Sequence, residues 1–465
     1  MKPLIAAAIF GILMMFSSLT VKEKRSFSVF AIVLLVILTG INIWEIYDTK
    51  ILMESGTSGV YFFNNMVKVD AYNLWFNTLM TACTLIFVVM MHRSIEQVGT
   101  HVGEYYSLIF FILSGIYLVA TFNNLLILFL GIELMSIPQY ILAGSDKRNL
   151  KSSEASLKYF LMGAFSTGIL LMGIALLYTA LRSFNIEQFN FGILESNSII
   201  AIAGVVLIII SFGFKVSAAP MHFWTPDVYD GAPTPFTAFM ATIVKVAIFF
   251  GFLSIFKNAF YAVHPVWSMV LAIVTALTLM IGNFTAVYQQ SVKRMLAYSS
   301  IAQAGFMLLG VISSNAMATK GIIVYALAYT IATLGVFGVL VKMKDYTYDG
   351  FNGLAKTQPF MAFVTAICLL SLAGIPLTAG FMAKYYMLAS LMEQGNFLWL
   401  IILALLMAAI SAYYYFKVIM AMYFKPGTPE LTAPYTTLDK IVAILVVIII
   451  IGIGIAPDTL FACVL

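Results

Sequence analysis

Five lysines stand inside runs of apolar sequence: Lys158, Lys215, Lys245, Lys384 and Lys417. One acid, Glu133, lies near the middle of another such run. A charge near the centre of a bilayer costs about 2.5–3.5 kcal/mol on insertion scales. Several together cost on the order of 10 kcal/mol, comparable with the whole stability of a domain. Such a set points to an ion path whose members pair with one another. Burial favours the neutral form of an amine, and a nearby carboxylate favours the charged form. Displacing Glu133 from Lys215 therefore changes whether the amine keeps its proton, and a row of such groups linked by water makes a proton relay. Carboxylates alone could do this. Lysines add one feature: an empty site is neutral and a loaded one positive, so neighbouring loaded sites repel.

The six are not equivalent. Lys245 is central in its run, too deep to reach the interface easily. Lys215 lies about one turn before Pro220, and Lys384 follows Gly374-Ile-Pro and Gly380. Lys158 and Lys417 are only a turn or two from a loop, where snorkelling explains them as well as function does. His222 belongs to the connection 220–235 and titrates near physiological pH, so it could pass protons inward; an interfacial histidine is the competing reading. Asp227 and Asp230 sit in a stretch dense in proline and glycine and read as loop-capping residues. His92, His101 and His264 read as loop residues, and Tyr413-Tyr-Tyr415 and Trp267 as interface anchors.

The elements that hold these groups follow from composition. Of 465 residues, 62% are hydrophobic and 10% charged. A soluble domain runs near 25% charged, so soluble, disordered, fibrous and disulfide-rich classes are excluded. Apolar runs predict an all-α polytopic membrane protein of about fourteen spans: 3–20, 27–46, 73–91, 105–122, 124–143, 155–180, 198–220, 236–257, 266–288, 298–315, 320–341, 360–390, 396–423 and 438–457. The first run could be a signal peptide, but its length and the following Lys22-Glu-Lys-Arg25 cluster favour a retained helix. Val60-Tyr-Phe-Phe and Val67-Lys-Val, in the long loop 48–70, suggest a short hairpin; a second long loop covers 182–197.

Of the 25 Lys and Arg residues, the five in spans leave twenty on loops. Fourteen fall on one side, among them Lys22, Arg93, Lys293, Arg294 and Lys342; six fall on the other: Lys2, Lys50, Lys68, Arg182, Lys257 and Lys320. The richer side is expected to be cytoplasmic, which puts both termini on the periplasmic side. Runs seven and twelve contain Gly213 and Pro220, and Gly374, Pro376 and Gly380, and are expected to be broken helices. Breaks are tolerated at membrane depth only where protein or water satisfies the freed backbone, and paired breaks point to inverted repeats. The expected units are 1–104 (helices one to three), 105–257 and 258–423 (two inverted five-helix repeats) and 424–465 (the last helix).

No cofactor site is expected. Cys83, Cys368 and Cys463 lie far apart, without the clustering that iron–sulfur ligation needs. Gly452-Ile-Gly454 lacks a strand–turn–helix context, and neither a phosphate loop nor a zinc motif is present. A net charge of +5 reflects membrane loops and gives no nucleic-acid surface.

Several stretches match a known pattern. They are Glu133-Leu-Met-Ser136, Ser152-Ser-Glu-Ala-Ser-Leu-Lys-Tyr-Phe160, Phe214-Lys215 through His222-Phe-Trp-Thr-Pro-Asp-Val-Tyr-Asp-Gly-Ala-Pro to Lys245, Val292-Lys-Arg-Met-Leu-Ala-Tyr-Ser-Ser300, and Gly374-Ile-Pro with Gly380-Phe-Met-Ala-Lys384. In these, from about helix three to thirteen, the chain resembles subunit N of bacterial NADH:quinone oxidoreductase (respiratory complex I), an antiporter-like family. The Thr-Pro-Asp-Val-Tyr-x-Gly-Ala-Pro stretch is the most specific part. The chain lacks the long C-terminal extension typical of subunit L.

The resemblance implies a proton-translocating membrane-arm subunit of an NADH:quinone oxidoreductase in the bacterial inner membrane, acting as part of an enzyme whose other subunits hold NADH, FMN, iron–sulfur clusters and quinone. It implies subunit M-like and K-like neighbours. It assigns Glu133 and Lys215 as the coupled pair, Lys245 as the central relay and Lys384 as the group near the outward exit, and it matches Lys158 to a family lysine. The family often has histidine where this chain has Gln303; glutamine does not titrate, so the resemblance carries no relay through that position. The alternatives are a subunit of a multi-subunit sodium/proton antiporter, which would not co-purify with flavin and iron–sulfur subunits, and a stand-alone solute carrier, which needs a hydrogen-bonding substrate site at the midplane.

Overall fold

The computed structural model describes residues 1–20, 23–53, 59–189 and 198–461; Lys22, Cys463, residues 54–58 of the first long loop and residues 190–197 of the second lie outside the described residues. Among these, twelve helices are long and apolar enough to cross a membrane, and two shorter apolar helices, Ile199–Lys215 and Pro359–Ala373, occupy the seventh and twelfth runs.

The first six runs fold as α1 (Lys2–Thr20), α2 (Lys24–Met53), α3 (Ala71–Val98), α4 (Val102–Thr121), α5 (Leu125–Ala143) and α6 (Leu150–Leu181). Short polar side chains start three of them. Asp70 and Asn73 form a capping box on α3, and Asn124 and Asn149 cap α5 and α6. The expected hairpin is present: β1 (Val60–Phe62) pairs antiparallel with β2 (Val67–Val69), with Val60 opposite Val69.

The seventh run is interrupted, but earlier than its proline. α7 (Ser198–Lys215) ends at Lys215, making that lysine the last residue of the helix. Ser217 takes a left-handed conformation (φ 66°), and the chain re-forms a helix, α8 (Trp224–Gly231). The stretch read as a loop is therefore largely helical, with Asp227 in its first turn. Protein groups satisfy the freed backbone: Ala218 N donates to Gly213 O at 2.7 Å, Ala219 N to Thr278 Oγ1 at 2.8 Å, and Trp224 Nε1 to Phe214 O at 3.0 Å.

The eighth run comprises α9 (Thr234–Phe239), one π-helical turn (Met240–Val244) and α10 (Lys245–Asn258), so Lys245 begins a helix just after a widened turn. Then come α11 (His264–Val287), α12 (Val292–Ser313), α13 (Ala316–Leu340) and the short α14 (Leu354–Thr357). The twelfth run is α15 (Pro359–Ala373) and α16 (Ala379–Gln394). Between them Gly374 and Leu377 are left-handed (φ 83° and 70°). Gly380 N donates to Ser371 Oγ at 3.0 Å, and any Cβ at Gly380 would run into the Ser371 carbonyl oxygen. α17 (Leu398–Phe424) and α18 (Thr437–Ile455) complete the fold.

α4 packs on α5 and α11 on α12; α6 packs on α7, and α13 on α15 and α16. Residues 234–258, 292–313 and 316–340 are almost wholly buried, while α1 and α18 expose most of their surface. The core thus surrounds α10, α12 and α13, which sets Lys245 deep inside. Several single-residue expectations fail. Trp267, Tyr414 and Tyr415 are buried, not interfacial; only Tyr413 is exposed. His92 lies within α3, and His264 opens α11 with Nε2 2.8 Å from Ile312 O. Lys293 and Lys342, read as loop cations, are buried.

Candidate functional site

Glu133, Ser136 and Tyr140 occupy one face of α5 at helical spacing. Lys215, at the end of α7, reaches that face. Its Nζ donates to Ser136 Oγ at 2.8 Å and to Tyr140 OH at 3.3 Å, and lies 4.0 Å from Glu133 Oε1. Glu133 is held from the other side by Thr167 Oγ1 at 2.7 Å. The expected acid–amine pair is therefore present at the edge of contact, with two neutral hydroxyls closer to the amine than the carboxylate is. A charge-assisted bond contributes about 1.5–3 kcal/mol, so these hydroxyls hold the ammonium comparably with the acid.

Lys245 is 1% exposed. Its Nζ donates to Ser300 Oγ at 3.0 Å and Ser300 O at 3.3 Å, and lies 5.6 Å from the Tyr229 ring centroid. Between Lys215 and Lys245 runs a ladder of aromatic contacts: Tyr140 edge-on to Tyr159, Tyr159 stacked on Trp224, Trp224 edge-on to Tyr229. Lys384 is also buried. Its Nζ donates to Ala373 O at 2.8 Å and sits 4.7 Å from the Phe306 centroid. Among the described residues, neither Lys245 nor Lys384 makes an ion pair.

A hydrogen-bonded cluster lies between these two lysines. Ser299, next to Ser300, meets Tyr415 OH at 2.5 Å. Gln303 donates to Tyr415 OH at 3.2 Å and to Leu372 O at 2.9 Å, and accepts from Tyr325 OH. Leu372 precedes Ala373, the acceptor of Lys384. A cavity with room for about one water adjoins Gln303, Tyr325, Ser371 and Gly380. Gln303 thus works as a fixed hydrogen-bonding junction. Sequence alone assigns no role in the path to Ser136, Tyr140 or Ser300, and it reads Tyr415 as an interface anchor. Only the Glu133–Ser136–Tyr140 spacing offered a signal, because hydroxyls are unremarkable in apolar helices.

The remaining expected residues lie elsewhere. Lys158 bonds Glu154 at 2.8 Å and Asp227 at 2.9 Å, and Asp227 also accepts from Arg294 at 3.3 Å. This half-exposed network ties α8 to α6 and α12 and does not reach Glu133. Lys293 donates to Asp230 O and Ala232 O at the end of α8, at 3.0 and 2.8 Å, so α8 is held by adjacent cations of α12. His222 is buried in the turn before α8 with Nδ1 unpartnered, and no hydrogen bond joins it to a lysine among the described residues. Lys417 lies 4.1 Å from the Tyr348 ring centroid. Among the described residues no group of three His, Cys, Asp or Glu side chains could hold a metal ion.

Residues 122–411 match the family model described as NADH:quinone oxidoreductase/Mrp antiporter, TM. The chain is 39% identical to NADH-quinone oxidoreductase subunit N of Cytophaga hutchinsonii, over 99% of this chain and 98% of that one. A chain of respiratory complex I from Thermus thermophilus superposes with a TM-score of 0.83 at 29% identity, covering 98% of this chain and 97% of that chain. A chain of the Mrp complex from Dietzia sp. superposes with a TM-score of 0.84 at 19% identity, covering 100% and 96%, which shows a shared fold alone. By sequence over nearly its full length, this chain belongs to the NADH-quinone oxidoreductase subunit N family, within the wider NADH:quinone oxidoreductase/Mrp antiporter family of membrane proteins.

Proposed function

We propose that this subunit moves protons along Glu133, Lys215, Lys245 and Lys384, driven by quinone reduction in partner subunits of a bacterial NADH-quinone oxidoreductase. The observation that carries the reading is the state of the three buried lysines. Each sits beside a helix irregularity, and each is held mainly by neutral oxygens: the Ser136 and Tyr140 hydroxyls for Lys215, the hydroxyl and carbonyl of Ser300 for Lys245, and the Ala373 carbonyl for Lys384. Separating a carboxylate from an ammonium at 4 Å changes their interaction by about 4 kcal/mol at an effective dielectric of about 20. A shift of Glu133 away from Lys215 would favour loss of the Lys215 proton, which bound water would have to carry to Lys245 past the aromatic contacts of Tyr159 and Trp224. Ser300, Ser299, Tyr415 and a water beside Gln303 would link Lys245 to Lys384.

In this reading, NADH, FMN, iron–sulfur clusters and quinone belong to the partner chains, and subunit M-like and K-like chains flank this one. Fourteen crossings, with both termini periplasmic, place Lys68, Lys257 and Thr319 at the outer rim and Lys158, Asp227 and Arg294 at the cytoplasmic one. The corresponding pairings, α4 with α5 and α11 with α12, and α6 and α13 each with a broken segment, support two inverted repeats over 105–257 and 258–423, flanked by 1–104 and 424–465. Lys158 and His222 belong to the cytoplasmic mouth. The test is Lys245→Ala in the assembled complex in proteoliposomes. Proton pumping and coupled quinone reduction should fall by about tenfold or more, as when a positioned acid–base group is lost. Unchanged pumping would refute the relay.

A further inference from the structure

We propose that the cleft between α2, α3 and α18 binds the phosphodiester headgroup of an anionic phospholipid. The cleft measures about 640 Å³, and its lining includes Arg25, His92, Arg93, Glu96, Thr436 and Leu438. Arg25 is in the first turn of α2 and Arg93 in the last turns of α3, so the antiparallel packing of the two helices brings two guanidiniums to one recess. Among the described residues, neither guanidinium has a hydrogen bond or an ion pair.

The one acid in the lining is already engaged. Glu96 Oε1 accepts from Ser28 Oγ at 2.5 Å. Lys24 holds the two helices in register by donating to Glu96 O at 2.9 Å and Gly99 O at 2.6 Å, which leaves the arginines as the available cations. A planar guanidinium binds a phosphate through two parallel bonds, and basic recesses between helix ends on the cytoplasmic side suit anionic headgroups.

The apolar flank decides between a lipid and a free phosphate. Arg25 also borders a groove lined by Val29, Phe30 and Val33 together with Ser26 and Glu23, whose carboxylate accepts from Ser26 Oγ at 3.2 Å. Leu438 of α18, which lines the cleft, and Ile441, one turn further along that helix, are exposed (42% and 58%). A headgroup over the arginines would lay acyl chains against these apolar side chains, whereas inorganic phosphate gains nothing from them.

The experiment uses the assembled complex in nanodiscs of phosphatidylcholine with increasing phosphatidylglycerol, with retained lipid counted by mass spectrometry after mild detergent extraction. The wild type should retain phosphatidylglycerol. Arg25→Gln with Arg93→Gln should weaken retention by at least about tenfold, since two charge-assisted contacts are removed. Arg25→Lys with Arg93→Lys should keep much of the binding, and Lys425→Gln, an exposed cation outside the cleft, should keep all of it. Equal retention by the glutamine variant overturns the proposal. So does equal retention of phosphatidylcholine, or displacement of the lipid by millimolar inorganic phosphate, which would mark a free-anion site.

Discussion

The Lys384 ammonium donates to the carbonyl of Ala373, the last residue of the half-helix α15, at 2.8 Å. The carbonyls at a helix C-terminus lack intrahelical partners and carry the negative end of the macrodipole. A break in a buried helix therefore makes a cation site with no carboxylate. Gly374 and Gly380 permit the break, and the same break gives Lys384 its partner. The proposed relay requires that this carbonyl-held charge be released.

Lys384→Arg separates a structural cap from a proton carrier. Arginine stays charged at every working pH and can still bond the α15 carbonyls. The variant should assemble, yet pump about tenfold or more slowly, because the site no longer releases its proton. Proton pumping per quinone reduced, measured in proteoliposomes, is the readout. Full pumping by the arginine variant would reduce Lys384 to a helix cap.

Ser136→Ala and Tyr140→Phe test the neutral partners of Lys215. Each removes one bond to an ammonium, worth about 1.5–3 kcal/mol, and leaves Glu133 as the remaining partner. Because both act on one atom, their effects on pumping should not add, and the double variant should be more strongly locked to Glu133 than either single one. No effect of either variant would show that the carboxylate alone sets the behaviour of Lys215, and additive effects would show that the two hydroxyls act on it independently.

The legible part of this site was the part that breaks a pattern. Lys245 stood out because a lysine is costly in an apolar run, and the breaks stood out through Gly374, Pro376 and Pro220. The hydroxyl shell did not, since Ser and Tyr are ordinary in buried helices and the Gln303–Tyr415 contact joins residues 112 apart. Lys293 was misplaced for a related reason: position near the end of a run suggests a loop, whereas tertiary packing buries it against the end of α8. Trp267 and Tyr415 misled in the same way, because an aromatic near a run's end fits both an interface and a core. The π turn before Lys245 has no composition signal at all.

Lys158 separates family resemblance from geometry. Its bonds to Glu154 and Asp227 lie in a half-exposed network, where solvent screening leaves an ion pair little net strength. A double-mutant cycle of Lys158→Met and Asp227→Asn, read by thermal unfolding of the complex, should give little coupling. Pumping by Lys158→Met should stay well above that of Lys245→Ala. If both variants are equally inactive, Lys158 belongs to the central path.

The β1–β2 hairpin provides a pH signature independent of the proposed relay. Glu187 accepts from Tyr61 OH at 2.8 Å and Lys68 Nζ at 3.1 Å. Burial pushes its carboxyl up, but these bonds and the Lys68 charge outweigh burial and hold it below the ordinary range. For Lys68, burial acts downward, and the contacts with Glu187 and Tyr61 outweigh it and raise the amine above its ordinary value. The depressed carboxyl gives stability that is present above the unfolded value of about 4.3 and lost as pH falls through the folded one. The raised amine gives stability that is present below about 10.4 and lost as pH rises through its folded value. The contribution, about 1 kcal/mol or less for so exposed a pair, should be flat across neutral pH. Hydrogen exchange of the β1–β2 amides should therefore show acid-labile protection in the wild type and none of that acid limb in Glu187→Gln. An acid limb of the same size in both would mean that another group ties the hairpin to the 182–189 segment.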